Sequence, residues 1–164
     1  MRQYFDVSLP YTEGLTRWPT AKRPVIAKKR DMTKGDVNNS SRIEAGVHHG
    51  THIDAPLHFI DGGNGIEKLP PEILIGTATV IALPDADMID PSVLDEVDFP
   101  ADCERLLFKT SNSDLWNDLE HEFCYDAVTV TPEAATILVE RGVRLVGVDY
   151  ISVEEYGLEG NGTH

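Results

Sequence analysis

Residues 131–149 read TPEAATILVERGVRLVGVD, and this stretch carries the clearest structural signal in the 164-residue chain. Thr131 is placed to cap a helix, Pro132 fits the first helical position, and Glu133 suits the positive end of the helix dipole. The spacing predicts a helix over Pro132–Arg141 with Ala135, Leu138 and Val139 on its apolar face, stopped by Gly142. Val143–Val148 then reads as a core strand that ends at Asp149.

Working outward from that stretch, Gly76–Leu83 (GTATVIAL) has strong β character, Glu104–Thr110 (ERLLFKT) reads as a buried strand, and Val128–Val130 as another. Pro91–Val97 is predicted as a short helix and Gly62–Gly65 (GGNG) as a loop. Toward the N-terminus, Tyr4–Leu9 alternates enough for a strand that Pro10 ends, and Arg42–Val47 reads as a strand leading into a histidine cluster. Between them, Tyr11 to Ser41 is long and polar and carries the mixed-charge run Lys28-Lys29-Arg30-Asp31. Such a stretch inside a compact domain is either functional or packs on a partner, and Pro24–Ala27 fits a short edge strand within it. Several strands with one or two good helices predict a single α/β domain over residues 1–164. Its expected form is an α/β or α+β sandwich and not a regular doubly wound sheet.

Hydrophobic residues make up 41% of the chain and charged residues 26%, enough for a real core. Fourteen Lys and Arg against 28 Asp and Glu give a formal charge of −14. That excess disfavours nucleic acid, whose phosphates need a basic face, and equally an anionic membrane surface. No run approaches the roughly 18 apolar residues of a membrane helix. The first residues, MRQYFDVSLPYTEG, lack the apolar core of a signal peptide, so a cytoplasmic setting is expected. Cys103 and Cys124 are expected to be free thiols there.

Four of the six histidines fall between positions 48 and 58, in HHGTHIDAPLHF. His48, His52, Asp54 and His58 offer three imidazoles and a carboxylate, a donor set suited to zinc, iron or manganese. On a straight strand, His48 and His58 would lie roughly 33 Å apart, far too distant to share an ion. Pro56 blocks a continuous helix and pushes Ala55 out of the helical region. The segment must therefore bend, and Gly50 and Pro56 are the expected bends. A bent loop can fold His48, His52 and Asp54 around one ion, with His58 beyond the proline as a proton-transfer group. His49, of opposite parity, is expected to be structural. Three protein ligands leave a coordination position open, which marks a catalytic metal and predicts hydrolysis of an amide, formamide or related carbonyl compound. Two other readings stand beside it. His52 and Asp54 could join His121 or His164 in a non-haem Fe(II) oxygenase triad, or the cluster could serve a non-catalytic metal-binding or assembly module.

The pattern H-x-G-T-H-x-D-x-P-x-H, formed by His48, Gly50, Thr51, His52, Asp54, Pro56 and His58, resembles that of the metal-dependent cyclase family, which includes bacterial-type kynurenine formamidase and isatin hydrolase. The resemblance extends to DVSLPYTEGLTRWP, ILIGTATVIAL and TPEAATILVERGVRLVGVDYISVE. It implies a β/β/α sandwich of the swivelling-domain type and one or two divalent ions, Zn2+ or Mn2+, with Asp54 able to bridge two. It also implies His58 as catalytic acid/base and Trp18 as a substrate-binding residue. A homo-oligomer, dimer or tetramer, acting on a small molecule is implied as well. In Gly162-Thr163-His164 the resemblance implies a further metal ligand or catalytic partner, His164. The acid or amide that the family carries beyond that histidine does not follow it here, so a missing C-terminal end is expected. Thr20-Ala21 after Trp18-Pro19 departs from the Gly-Asp common in formamidase-like members.

Overall fold

The computed structural model describes residues 5–158 and 162–164. By its internal contacts the chain folds as two compact units, Met1–Ile53 with Leu119–Phe123, and Asp54–Asp118 with Cys124–His164. The fold class is mixed α/β, as the sequence predicts, with two sheets.

The first unit is built on a hairpin, β1 (Val25–Arg30) and β2 (Ser40–Glu44), paired antiparallel from Val25 opposite Glu44 to Arg30 opposite Ser40. The register shifts between Lys28 and Arg30, a bulge of the kind common at sheet edges. Its turn is made by polar side chains. Asp31 caps a short 3-10 turn by accepting the Thr33 N–H, Lys28 pairs with Asp31 at 2.8 Å, and Gly35 closes the turn at φ +94°. Nearly every hairpin residue is exposed, so no alternation marks the strands; the sequence predicts only parts of them, Pro24–Ala27 at the start of β1 and Arg42–Val47, which overlaps the end of β2 and runs past it. The predicted strand at Tyr4–Leu9 is absent over the described residues 5–9; Tyr4 lies outside them. There Asp6 instead accepts both the N–H and the hydroxyl of Ser8, a local bond that competes with strand pairing. Within the same unit, buried Thr16 ties residues 119–123 down, donating its N–H to Leu119 O (2.8 Å) and its hydroxyl to His121 O (2.6 Å).

The second unit holds α1 (Pro71–Leu74), α2 (Pro91–Glu96) and α3 (Pro132–Glu140) around a parallel sheet ordered β3 (Thr79–Leu83), β4 (Arg105–Thr110), β5 (Leu145–Gly147). Parallel neighbours require crossover connections, which here carry α2 and α3. Asp90 caps α2 through the Val93 N–H, and Thr131 caps α3 through the Ala134 N–H, each followed by Pro at the first turn. Helix α3 buries Ala134 and Leu138, four residues apart on one face. Val139, expected on that face, is 72% exposed, because it stands about 100° round the helix from Leu138, away from the Ala134–Leu138 face. Leu106 and Phe108 of β4 meet Leu138, Leu94 and Ile89 in the core. Val128–Val130 makes only a single bridge, Ile89 to Val130, where a strand was predicted. Buried Arg105 is satisfied by the carbonyls of Glu72 and Ile73 and by the Glu104 carboxylate. Both cysteines are free thiols. No helix among the described residues is long and apolar enough to cross a membrane.

Candidate metal centre

The histidine-rich segment follows β2 as two consecutive turns, and the division between the units falls inside it, after Ile53. Each half is therefore built on its own scaffold.

In the first half, Gly50 takes φ +72°, a left-handed conformation that side-chain-bearing residues resist. This is the first predicted bend. It brings the rings of His48 and His52 edge to face at 5.0 Å. The Gly50 carbonyl lies 2.8 Å from His52 Nδ1. A carbonyl can only accept, so the proton of this bond sits on Nδ1 and the imidazole lone pair falls on Nε2. That pairing of a backbone carbonyl with one ring nitrogen is how metal-binding histidines are commonly oriented. His49 turns the other way, as its parity predicts: it is buried, donates from Nε2 to Thr12 O at 2.9 Å and packs edge-on against Tyr11. Thr51 accepts the Leu9 N–H at 3.0 Å, fixing the turn to the N-terminal segment. Trp18, half-buried in this unit, packs edge to face on Phe123 at 5.4 Å.

In the second half, Ala55 is extended at ψ 158°, as a residue before proline should be, and Pro56–His58 forms a 3-10 turn. This is the second predicted bend. The His58 N–H returns to Ala55 O at 2.8 Å, which carries His58 back toward Asp54. Both side chains are exposed, and ligand atoms of Asp54 and His58 lie within 4.8 Å of each other, close enough to share one cation. The GGNG loop closes on this turn: Leu57 donates to Asn64 O at 3.1 Å and Gly63 to Ile60 O at 2.9 Å. A Cβ on Gly63 would stand 2.9 Å from both the Ile60 oxygen and the Pro56 carbonyl carbon, so only glycine fits without moving backbone. His164 stacks on Phe59 with ring centroids 4.0 Å apart and lies 6.4 Å from the His58 ring.

The geometry thus pairs His48 with His52 in one unit, and Asp54 with His58 and His58 with His164 in the other. Two imidazoles and a carboxylate suit zinc or manganese, and the donor chemistry fits a divalent ion. Phe59 and Glu154 stand beside these residues without having been singled out in the sequence; Gly63 and Thr163 figure there only as parts of the GGNG loop and of Gly162-Thr163-His164.

Residues 5–155 match the Cyclase family model, described as "Putative cyclase". Cyclase-like protein 3 of Arabidopsis thaliana is 34% identical over 170 residues, covering 99% of this chain and 62% of its own length. A kynurenine formamidase of Bacillus mycoides is 29% identical over 154 residues, covering 93% of this chain and 70% of its own. A solved structure described as a potential metal-dependent hydrolase with cyclase activity superposes with a TM-score of 0.79 at 32% identity, covering 97% of this chain and 73% of that one. The chain spans 58–62% of the length of the first plant cyclase-like proteins it matches.

Proposed function

We propose that this chain, which belongs to the Cyclase family, is a metal-dependent hydrolase cleaving the C–N bond of a small amide, formamide or cyclic amide. The observation that carries this reading is the doubly bent motif. The left-handed Gly50 orients His52 through its own carbonyl, and the Pro56 turn returns His58 to Asp54. His52 and Asp54 are two residues apart, so their Cα atoms are at most about 7 Å from each other whatever the chain does between them. The kinship with a kynurenine formamidase and with a structure described as a potential metal-dependent hydrolase supports the reaction class.

In this proposal His48, His52 and Asp54 hold one or two divalent ions, Zn2+ or Mn2+, with His164 as a further donor. Such an ion supplies an acidified water and polarisation of the substrate carbonyl. His58 takes a proton from the attacking water and returns it to the leaving nitrogen, so that one water adds across the C–N bond and an acid and an amine leave. Phe59 holds the His58 ring edge-on at 4.2 Å, and the Pro56 turn fixes its backbone. Trp18 offers an aromatic face for the organic part of the substrate.

The test is anaerobic hydrolysis of a formanilide by the Zn2+- or Mn2+-loaded chain and by its His58→Ala variant. Turnover without oxygen, falling at least about 100-fold in the variant while metal content is unchanged, is expected. Full activity in the variant would remove His58 from its role, and turnover that needs oxygen would favour an oxygenase.

A further inference from the structure

Thr163 is held at two points, one residue before His164. Its N–H donates to Glu154 Oε2 at 2.7 Å, and its hydroxyl donates to Val130 O at 2.9 Å. Gly162 packs so closely on Pro132 that a Cβ there would stand 3.1 Å from the proline ring. Glu154 is itself fixed. Ser152 Oγ accepts the Glu154 N–H at 3.1 Å and donates to its carbonyl at 2.9 Å, while the neighbouring Val153 carbonyl accepts the Val130 N–H at 2.8 Å. Val130, Val153, Glu154 and Thr163 thus form a closed ring of backbone and side-chain bonds.

Glu154 is only 6% exposed. Burying a carboxylate is costly unless it is hydrogen-bonded, and packing alone would be served as well by an apolar side chain. A charge-assisted bond to a backbone amide is both strong and directional. What it directs is the residue after Thr163: the His164 ring, stacked on Phe59 at 4.0 Å beside His58.

We infer that Glu154 is a positioning residue, whose buried carboxylate fixes the Thr163 backbone and thereby presents His164 to His58 at the hydrolytic site. The inference rests on the function proposed above. It assigns Glu154 no contact with substrate or metal.

NMR and kinetics on the full 164-residue chain test it together. In the unaltered protein the Thr163 amide proton is expected far downfield, and the His164 ring protons upfield from the Phe59 stack. Glu154→Ala should move both toward unstructured values and lower kcat for a formanilide by about 10- to 100-fold, the usual cost of losing a supporting partner, with KM little changed. Glu154→Gln keeps an oxygen acceptor and should restore the His164 signals and most of kcat. A folded Glu154→Ala protein with unaltered His164 resonances overturns the inference. If that variant does not fold, Glu154→Asp, whose shorter side chain draws the carboxylate away from the Thr163 N–H, decides: His164 signals that do not move count against it. Shifted His164 signals in a chain that hydrolyses no amide support the latch and overturn the hydrolase reading. An active chain whose His164 signals ignore Glu154 does the reverse.

Discussion

Thr110 grips Asp149 twice, its N–H donating to Oδ2 at 2.7 Å and its hydroxyl to Oδ1 at 2.9 Å. The bond joins the end of β4 to the chain just beyond β5. Ser113 adds a third donor to Oδ2 at 2.6 Å, and the Trp116 indole donates to the Asp149 carbonyl at 2.8 Å. A half-buried carboxylate with three donors acts as a clamp where two parallel strands end. Asp149→Ala should lower unfolding free energy by about 2–4 kcal/mol, because hydrogen bonds to a charged group contribute more than neutral ones and their donors would be stranded. Urea denaturation measures this, and a loss below about 0.5 kcal/mol would show the clamp to be idle.

The burial of α3 separates two adjacent aliphatic residues. Leu138 is 1% exposed and Val139 72%. Leu138→Ala should cost about 2–5 kcal/mol, through lost burial and the cavity left behind. Val139→Ala should stay within about 0.5 kcal/mol. Equal losses in thermal or urea unfolding would mean that the helix presents a different face.

Gly63 touches backbone where a side chain would have to stand. Gly63→Ala should therefore push the GGNG loop away from the Pro56 turn and cost about 1–3 kcal/mol. Because that turn sets the return of His58 toward Asp54, the same variant should also weaken Zn2+ binding in a titration. Unchanged stability together with unchanged zinc affinity would show that the loop does not support the site.

The Ser92 hydroxyl, and then the Val93 N–H, hold the Asp90 carboxyl below its ordinary value of 3.8. A carboxyl depressed by folding stabilises the native state above its unfolded pKa, and that contribution fades as pH falls through the folded value. The Tm of the unaltered chain should thus exceed that of Asp90→Ala by a margin that is constant near neutrality and shrinks below about pH 4. A margin that widens on acidification would contradict the capping role.

What the sequence disclosed follows from how local each signal is. The cap, the proline and the stop glycine of α3 act within a turn of the helix, and β4 and β5 are apolar runs, so all three could be read from their own residues. The hairpin β1–β2 was legible only in part, at Pro24–Ala27 and Arg42–Val47, and its pairing not at all, because its faces are mostly solvated and main-chain pairing makes it a sheet. Of the predicted apolar face of α3, Leu138 is buried and Ala135 packs against the core, whereas Val139 is exposed and the buried Ala134 was missed. In the motif, both bends were legible because Gly50 and Pro56 dictate backbone geometry by themselves. The bond of Glu154 to Thr163 and the stack of His164 on Phe59 join residues distant along the chain or flanking a turn, and no spacing rule announces them.

The central claim is that this motif binds a divalent ion. Calorimetric titration of the metal-stripped 164-residue chain with Zn2+ and Mn2+, beside His48→Ala, His52→Ala and Asp54→Ala, tests it most directly. The account predicts one or two ions per chain, with affinity falling at least about 10-fold in each variant. A chain that takes up neither ion, or variants that bind as tightly and in the same number as the unaltered protein, would contradict it.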